Sequence, residues 1–209
     1  MRLSQPTPMP PRHLSRVNVV LCIYGILGFV GLLIFKLSGH SNIYLSPTTT
    51  IHSSLWFGPL SGICVAGLFI ALSTYANRKF TWAQKMSQHF RDVFGSTSHF
   101  EIFIIAFASS LGEELFFRGM LLPLFGLWPQ ALLFALLHIG PNRSFLPWTL
   151  SAFVMGLAFG AGTLFFGNLG FALIAHFTIN FINLHIIIGT KSEAPSFSSK
   201  WQPLNKQGY

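Results

Sequence analysis

The chain has 209 residues, of which 51% are hydrophobic, 15% aromatic and only 9% charged, against the roughly 25% charged residues of a soluble domain. Its mean hydropathy is +0.56, so water is not its main solvent and a water-soluble globular protein is excluded. The formal charge of +8 is not that of a nucleic-acid binder either, because the 13 basic residues are scattered beside apolar segments without a basic motif or an aromatic stacking platform.

A bilayer core is crossed by about 20 apolar residues in a helix, and apolar runs lie at about 17–37, 55–76, 100–122, 127–139, 146–166 and 169–188. Six crossings are the simplest count, giving an all-α polytopic membrane protein with its active site inside the helix bundle. The first run follows a basic segment but is too long for a signal-peptide core and lacks a small-residue cleavage site, which favours an uncleaved anchor. Breaks carry the expected punctuation: Ser38, Gly39, Asn42 and Pro47; Asn77 to Lys79; Pro123 and Gly126; Gly140 to Asn142; Gly167 and Asn168. The fourth run is short and reads as tilted, re-entrant or extended at one end.

Four parts follow. Residues 1–16 form an N-terminal tail, 17–99 two membrane helices and a basic linker, 100–188 a catalytic membrane core, and 189–209 a C-terminal tail. The tails are too short and too rich in Pro, Ser and Lys to fold alone. Lys and Arg favour the cytoplasmic side of membrane proteins. With both termini cytoplasmic, Arg2, Arg12, Arg16, Arg78, Lys79, Lys85, Arg91, Arg143, Lys191, Lys200 and Lys206 fall on that side, while the loop Ser38 to Ser54 carries no Lys or Arg. Residues 80–99 set Trp82, Phe90, Val93 and Phe94 among Lys85, His89 and Arg91, as in an interfacial amphipathic helix or a plain cytoplasmic linker. Gly25, Gly28 and Gly31, and Gly156, Gly160 and Gly162, let helices approach closely or make room for a substrate helix. Cys22 and Cys64 read as small buried hydrophobes.

The chemistry concentrates in the last three runs. The chain has five acidic residues, and Glu113 and Glu114 stand together inside the apolar segment SSLGEELFFRGML. On insertion scales a charge at the centre of a membrane helix costs about 2.5–3.5 kcal/mol, so such groups are rare, face inward and mark function. Glu114 and Arg118 are an i, i+4 pair in the favourable order. Glu113 lies about 100° further around the helix, without a basic partner on its own helix. A carboxylate so placed suits general-acid or general-base work; the plainer alternative is a hydrogen bond to a neighbouring helix.

The turn near Phe125 and Gly126 lies 12–13 residues from both Glu113 and His138, so an antiparallel hairpin brings the two to one depth, roughly 18 Å from the turn. A carboxylate and an imidazole then share one water. Phe134 precedes His138 by four residues and packs beneath its ring. Taken alone, His138 reads as a helix cap or an interfacial residue. In ALIAHFTINFINLHII, His176 and Asn180 are one turn apart on one face. They suit an oxyanion hole for peptide hydrolysis, or simple interhelical hydrogen bonding. Thr178, Asn183 and His185 project to other sides or lie nearer the end.

Taken in order, E-E-x-x-x-R at 113–118, F-x-x-x-H at 134–138 and H-x-x-x-N at 176–180 resemble the three motifs of the CPBP family. These are intramembrane glutamic endopeptidases that include the type II CAAX prenyl endopeptidases and bacteriocin-processing or self-immunity proteins. The resemblance covers about residues 100–188, including the FRG after the acidic pair. The first 99 residues match nothing beyond being membrane helices. It implies that Glu113 and His138 activate the attacking water, that His176 and Asn180 stabilise the oxyanion, and that Glu114, Arg118 and Phe134 support them. It also implies metal-independent catalysis on a membrane-associated protein or peptide in the lipid bilayer, with no nucleic-acid partner. The chain is shorter than the eukaryotic prenyl endopeptidases, which points to a prokaryotic inner membrane.

Three rivals remain open on sequence. His138, His176 and a Glu match the His2Glu donor set of a catalytic zinc site, though the usual H-E-x-x-H helix is missing. A non-catalytic immunity or chaperone-like protein would bind a helical peptide in the same cavity. A proton-coupled carrier would use the same intramembrane Glu and His, but matching broken helices in two halves are not seen.

Overall fold

The computed structural model describes residues 16–39, 56–95 and 97–189. The tails, most of the loop after residue 39, and Arg2, Arg12, Lys191, Lys200 and Lys206 lie outside them. The described residues are helical with no strand ladder: α1 (Arg16–Leu37), α2 (Phe57–Lys79), α3 (Thr81–Phe94), α4 (His99–Glu114), a π-helical segment (Leu115–Leu121), α5 (Leu122–Phe125), α6 (Leu127–Leu137), a 3-10 turn (Arg143–Phe145), α7 (Leu146–Phe166) and α8 (Gly170–Gly189).

Four helical stretches are long and apolar enough to cross a bilayer: α1, α2, the 3-10 turn with α7 (Arg143–Phe166), and α8. The other two apolar runs are also helical but differently built. Residues 99–125 form one helical stretch that changes register midway, and α6 has only 11 residues. Outward faces are apolar, as lipid requires: Ile23, Ile26 and Phe29 of α1 and Leu60, Ile63 and Leu68 of α2 all stand exposed. The protein is therefore an all-α integral membrane protein. Cys22 and Cys64, expected inside, lie on these outward faces, because in a membrane span an apolar neighbour does not imply burial.

Close approach is governed by glycine, as expected, but selectively. A Cβ on Gly31 would lie 2.9 Å from the Leu115 carbonyl oxygen, and one on Gly112 would lie 2.5 Å from that of Tyr24. Thus α1 and α4 touch backbone to backbone. Gly156 meets Ala131 and Gly160 meets Gln130, closing α7 on α6, whereas Gly25 has open space around it. Ala66, Phe159, Phe171, Ala172, Ala175 and Ile179 form the apolar core shared by α2, α7 and α8.

Local chemistry sets the boundaries. Ser98 and Glu101 form a reciprocal capping box at the start of α4, satisfying donors that a helix start leaves unpaired. Within the π segment the Leu122 N–H bonds to the Phe117 carbonyl, five residues back. Pro123 follows and has no N–H to restore the α pattern. Gly126, at φ 84°, ends α5 and turns the chain into α6, since a positive φ is freely open only to glycine.

Residues 81–94 take the helical alternative. In α3, Ala83 and Ser87 face inward, with Ser87 donating to Asn77 at 3.0 Å, while Val93 is exposed. Phe90 packs on Phe145 and Trp148. Arg16 donates to the Phe94 carbonyl, so the start of α1, the end of α3 and the Arg143 turn share one end of the bundle.

Candidate active site

The polar interior is assembled from four helical elements. Close packing of α1 fixes α4 where its last turn presents Glu113 and Glu114, both buried. The turn at Gly126 then returns α6 antiparallel, and His138, its C-cap residue, comes level with Glu113: His138 Nε2 lies 3.9 Å from Glu113 Oε2. From α8, His176 Nε2 approaches the same oxygen at 3.8 Å. Glu113, His138 and His176 are therefore together; the hairpin argument concerned the first two, and α8 adds the third.

The tautomers follow from what lies behind each ring. His138 Nδ1 is 2.7 Å from the Phe134 carbonyl oxygen, which can only accept, so Nδ1 carries a hydrogen and in the neutral ring the lone pair is on Nε2, toward Glu113. The Phe134 ring also lies against the imidazole, with centroids 4.4 Å apart. Thr149 donates to the His138 carbonyl at 2.8 Å, and Trp148 stands edge-on to its ring. These contacts hold His138 in one orientation at a helix end that would otherwise fray.

His176 is held by Glu114. Its Nδ1 is 2.7 Å from Glu114 Oε1, the same oxygen that accepts from Arg118 Nη1 at 2.9 Å. The predicted Glu114–Arg118 pair is present, but it does more than neutralise itself: it orients the imidazole of another helix, as outer carboxylates orient histidines elsewhere. Arg118 is 2% exposed and lies over the rings of Phe134 and Phe159, 4.5 and 5.2 Å from their centroids, a favourable setting for a desolvated guanidinium. Gln130, fully buried, donates to the Gly156 carbonyl at 2.9 Å, a carbonyl that Arg118 also reaches.

Asn180 stands apart from the other three. It is one helical turn beyond His176, and its amide donates to Ser109 Oγ at 3.0 Å. Ser109 precedes Glu113 by one turn of α4, so the side-chain amide flanks the carboxylate without touching it. Its second N–H is available for a ligand. Sequence reasoning missed Ser109, Gln130 and Tyr24. The last belongs to α1, outside every motif, and its backbone packs on Gly112, the residue before Glu113. Glu113 Oε2 has no hydrogen-bond partner among the described residues.

Chemically, this is a buried carboxylate oxygen faced by two imidazole nitrogens, with a charged pair behind one ring and an amide at the flank. Such a site polarises a small hydroxylic molecule. Among the described residues no group of three or more His, Cys, Asp and Glu side chains is arranged to hold a metal ion.

Fold and site together define a class: an integral membrane protein with a hydrolase-like polar centre inside an apolar bundle. Residues 95–182, which hold Glu113, Glu114, Arg118, His138, His176 and Asn180, are similar to the family described as type II CAAX prenyl endopeptidase Rce1-like. Over 92 residues the chain is 33% identical to a Bacillus subtilis (strain 168) protein described as uncharacterized protein YpbD. The match covers 43% of this chain and 47% of that relative, so it spans about half the length of each. No solved structure gives a significant match.

Proposed function

We propose that this protein is a glutamic intramembrane endopeptidase that hydrolyses a peptide bond in a membrane-associated protein or peptide precursor. The observation that carries the reading is the convergence of His138 Nε2 and His176 Nε2, at 3.9 and 3.8 Å, on one buried oxygen of Glu113. A water donating one hydrogen to Glu113 Oε2 and the other to His138 Nε2 turns its lone pairs outward, toward a scissile carbonyl. Attack forms the C–O bond, and the water's proton passes to Glu113. Collapse of the tetrahedral intermediate breaks the C–N bond, and Glu113 returns that proton to the leaving amine.

The oxyanion is received by His176 and Asn180. Because Nδ1 of His176 donates to Glu114, its Nε2 donates only in the doubly protonated ring, with Glu114 as counter-ion behind it. The free N–H of Asn180 supplies the second donor. No metal takes part in this scheme. The occupied Nδ1 of His138 leaves its neutral ring one lone pair on Nε2, which the water uses. The basic end of the bundle, with Arg16, Arg78, Lys79, Lys85, Arg91 and Arg143, faces the cytoplasm of a prokaryotic inner membrane.

The test is peptide release in liposomes from two quenched fluorescent peptides, one ending in a prenylated cysteine motif and one carried on an apolar membrane anchor. Wild type releases fluorophore from at least one of them, and Glu113→Gln from neither. Equal release by the two proteins would sink the assignment.

A further inference from the structure

The face of α8 that carries His176 does not end at Asn180. Seven residues after His176 the helix has turned almost two full circles, so Asn183 returns to within about 20° of the histidine, with Asn180 about 40° to its other side. Asn183 therefore shares the face of the site rather than projecting elsewhere. Ser73 of α2 donates to Asn183 Oδ1 at 2.9 Å, and Ser109 of α4 accepts from Asn180 Nδ2 at 3.0 Å. Each asparagine is thus tied through one amide atom to a serine on a flanking helix.

One bond each does not use up these amides, since an asparagine offers two donors and two acceptor lone pairs. Among the described residues Asn183 keeps both N–H groups of Nδ2 and Asn180 keeps one. Both residues are partly exposed. Neither contributes to the buried polar atoms without a partner, which are Glu113 Oε2, Glu114 Oε2, Arg118 Nε and Gln130 Oε1. The spare N–H groups therefore open onto accessible space rather than onto packed protein.

Asn183 lies about 10.5 Å along the helix axis from His176, toward the bundle end where His185 meets His99 at 2.9 Å. An extended peptide advances about 3.3 Å per residue, so this distance is about three residues of substrate. A segment extended for cleavage has no helical hydrogen bonds of its own, and hydrocarbon cannot satisfy its backbone groups. Polar groups of the protein must take them.

We infer that Asn183 binds the substrate backbone about three residues from the scissile bond, one Nδ2 N–H donating to a peptide carbonyl while Ser73 holds the amide in place. This rests on the peptidase reading for the scissile bond, but not for the binding. It gives α2, outside the matched segment 95–182, a part in substrate recognition. It also selects a substrate by its extended chain at that point, whatever its side chain there.

The test uses the full chain in nanodiscs and the two peptides of the release assay, remade as series in which one peptide bond at a time becomes a trans-alkene. The alkene keeps the shape and removes the carbonyl and the N–H. Copies without quencher are titrated by fluorescence anisotropy into Glu113→Gln, with and without Asn183→Leu. One replacement, about three residues from the bond that product masses show to be cleaved, weakens binding about 3- to 10-fold, the size of one hydrogen bond. It has no effect in the Asn183→Leu protein. On the unmodified peptide, Asn183→Leu alone raises KM by the same factor with kcat unchanged, the mark of a uniform binding contact. Its thermal midpoint stays at the wild-type value, because the Ser73 hydroxyl keeps the Ile70 carbonyl at 2.9 Å.

Replacements that weaken binding equally with and without Asn183 overturn the inference. So does a wild-type KM in Asn183→Leu, or a failure of both unmodified peptides to bind Glu113→Gln. If wild type and Glu113→Gln release peptide equally, the peptidase reading falls, and the anisotropy series alone decides whether Asn183 holds a peptide carbonyl.

Discussion

His176 Nδ1 and Glu114 Oε1 stand 2.7 Å apart across two helices, and the same oxygen accepts from Arg118 at 2.9 Å. Glu114→Gln keeps the shape but removes the charge that orients the imidazole. Its kcat is expected to fall about 10- to 100-fold, as on loss of an orienting partner behind a histidine, with little change in KM. Steady-state peptide release in liposomes measures this.

Removing the guanidinium should act on stability instead. Arg118→Met leaves Glu114 as a buried charge without its partner, which costs about 3–5 kcal/mol. The double variant Glu114→Gln with Arg118→Met should recover much of that loss, because the stranded charge is gone. Thermal unfolding in detergent, read for both variants and wild type, gives the comparison.

The glycines of α1 and α4 separate packing from spacing. Gly112→Ala drives a methyl group into the Tyr24 backbone at 2.5 Å and should cost about 1–3 kcal/mol, as overpacking does, with activity falling alongside. Gly25→Ala meets nothing within 4 Å and should be neutral or stabilising by up to about 1 kcal/mol from helix propensity. Detergent melting curves distinguish the two.

Ser109→Ala removes the acceptor that fixes the Asn180 amide. If Asn180 receives the oxyanion, kcat falls several-fold, and Asn180→Ala added to Ser109→Ala does little beyond Asn180→Ala alone, because residues acting as one unit are not additive. A double-mutant cycle in kcat reads the coupling.

Hydrolysis should survive exhaustive chelation. Complete loss of peptide release after dialysis against a strong chelator, restored by added zinc, would replace the proposed water activation with a metal centre.

Much of this site was legible because helical arithmetic needs few assumptions. The four-residue step from Glu114 to Arg118 gave the ion pair, and equal distances from Gly126 put Glu113 and His138 at one depth. Asn180 followed less closely: one turn from His176 is enough to move it beside Ser109 and off the carboxylate. Tyr24 left no trace, since a tyrosine in an apolar run is ordinary and its height depends on contacts between helices far apart in sequence. The change to π winding after Glu114 was equally hidden, because the five-residue bond from Leu122 to Phe117 leaves no mark in the hydrophobic period. Burial was misjudged at Cys22 and Cys64 because an outward face toward lipid is as apolar as a core.

The brevity of α6 has its own consequence for where water is delivered. Its 11 residues rise about 16 Å, roughly half of a bilayer's hydrocarbon thickness, and the chain then leaves the helix at His138. A segment that stops part-way leaves backbone groups that hydrocarbon cannot satisfy, and here the carbonyls of Phe134 and His138 are met by His138 Nδ1 and Thr149. Under the peptidase reading, the end at which α6 is interrupted is then where water enters the site, with no separate pore through the apolar bundle.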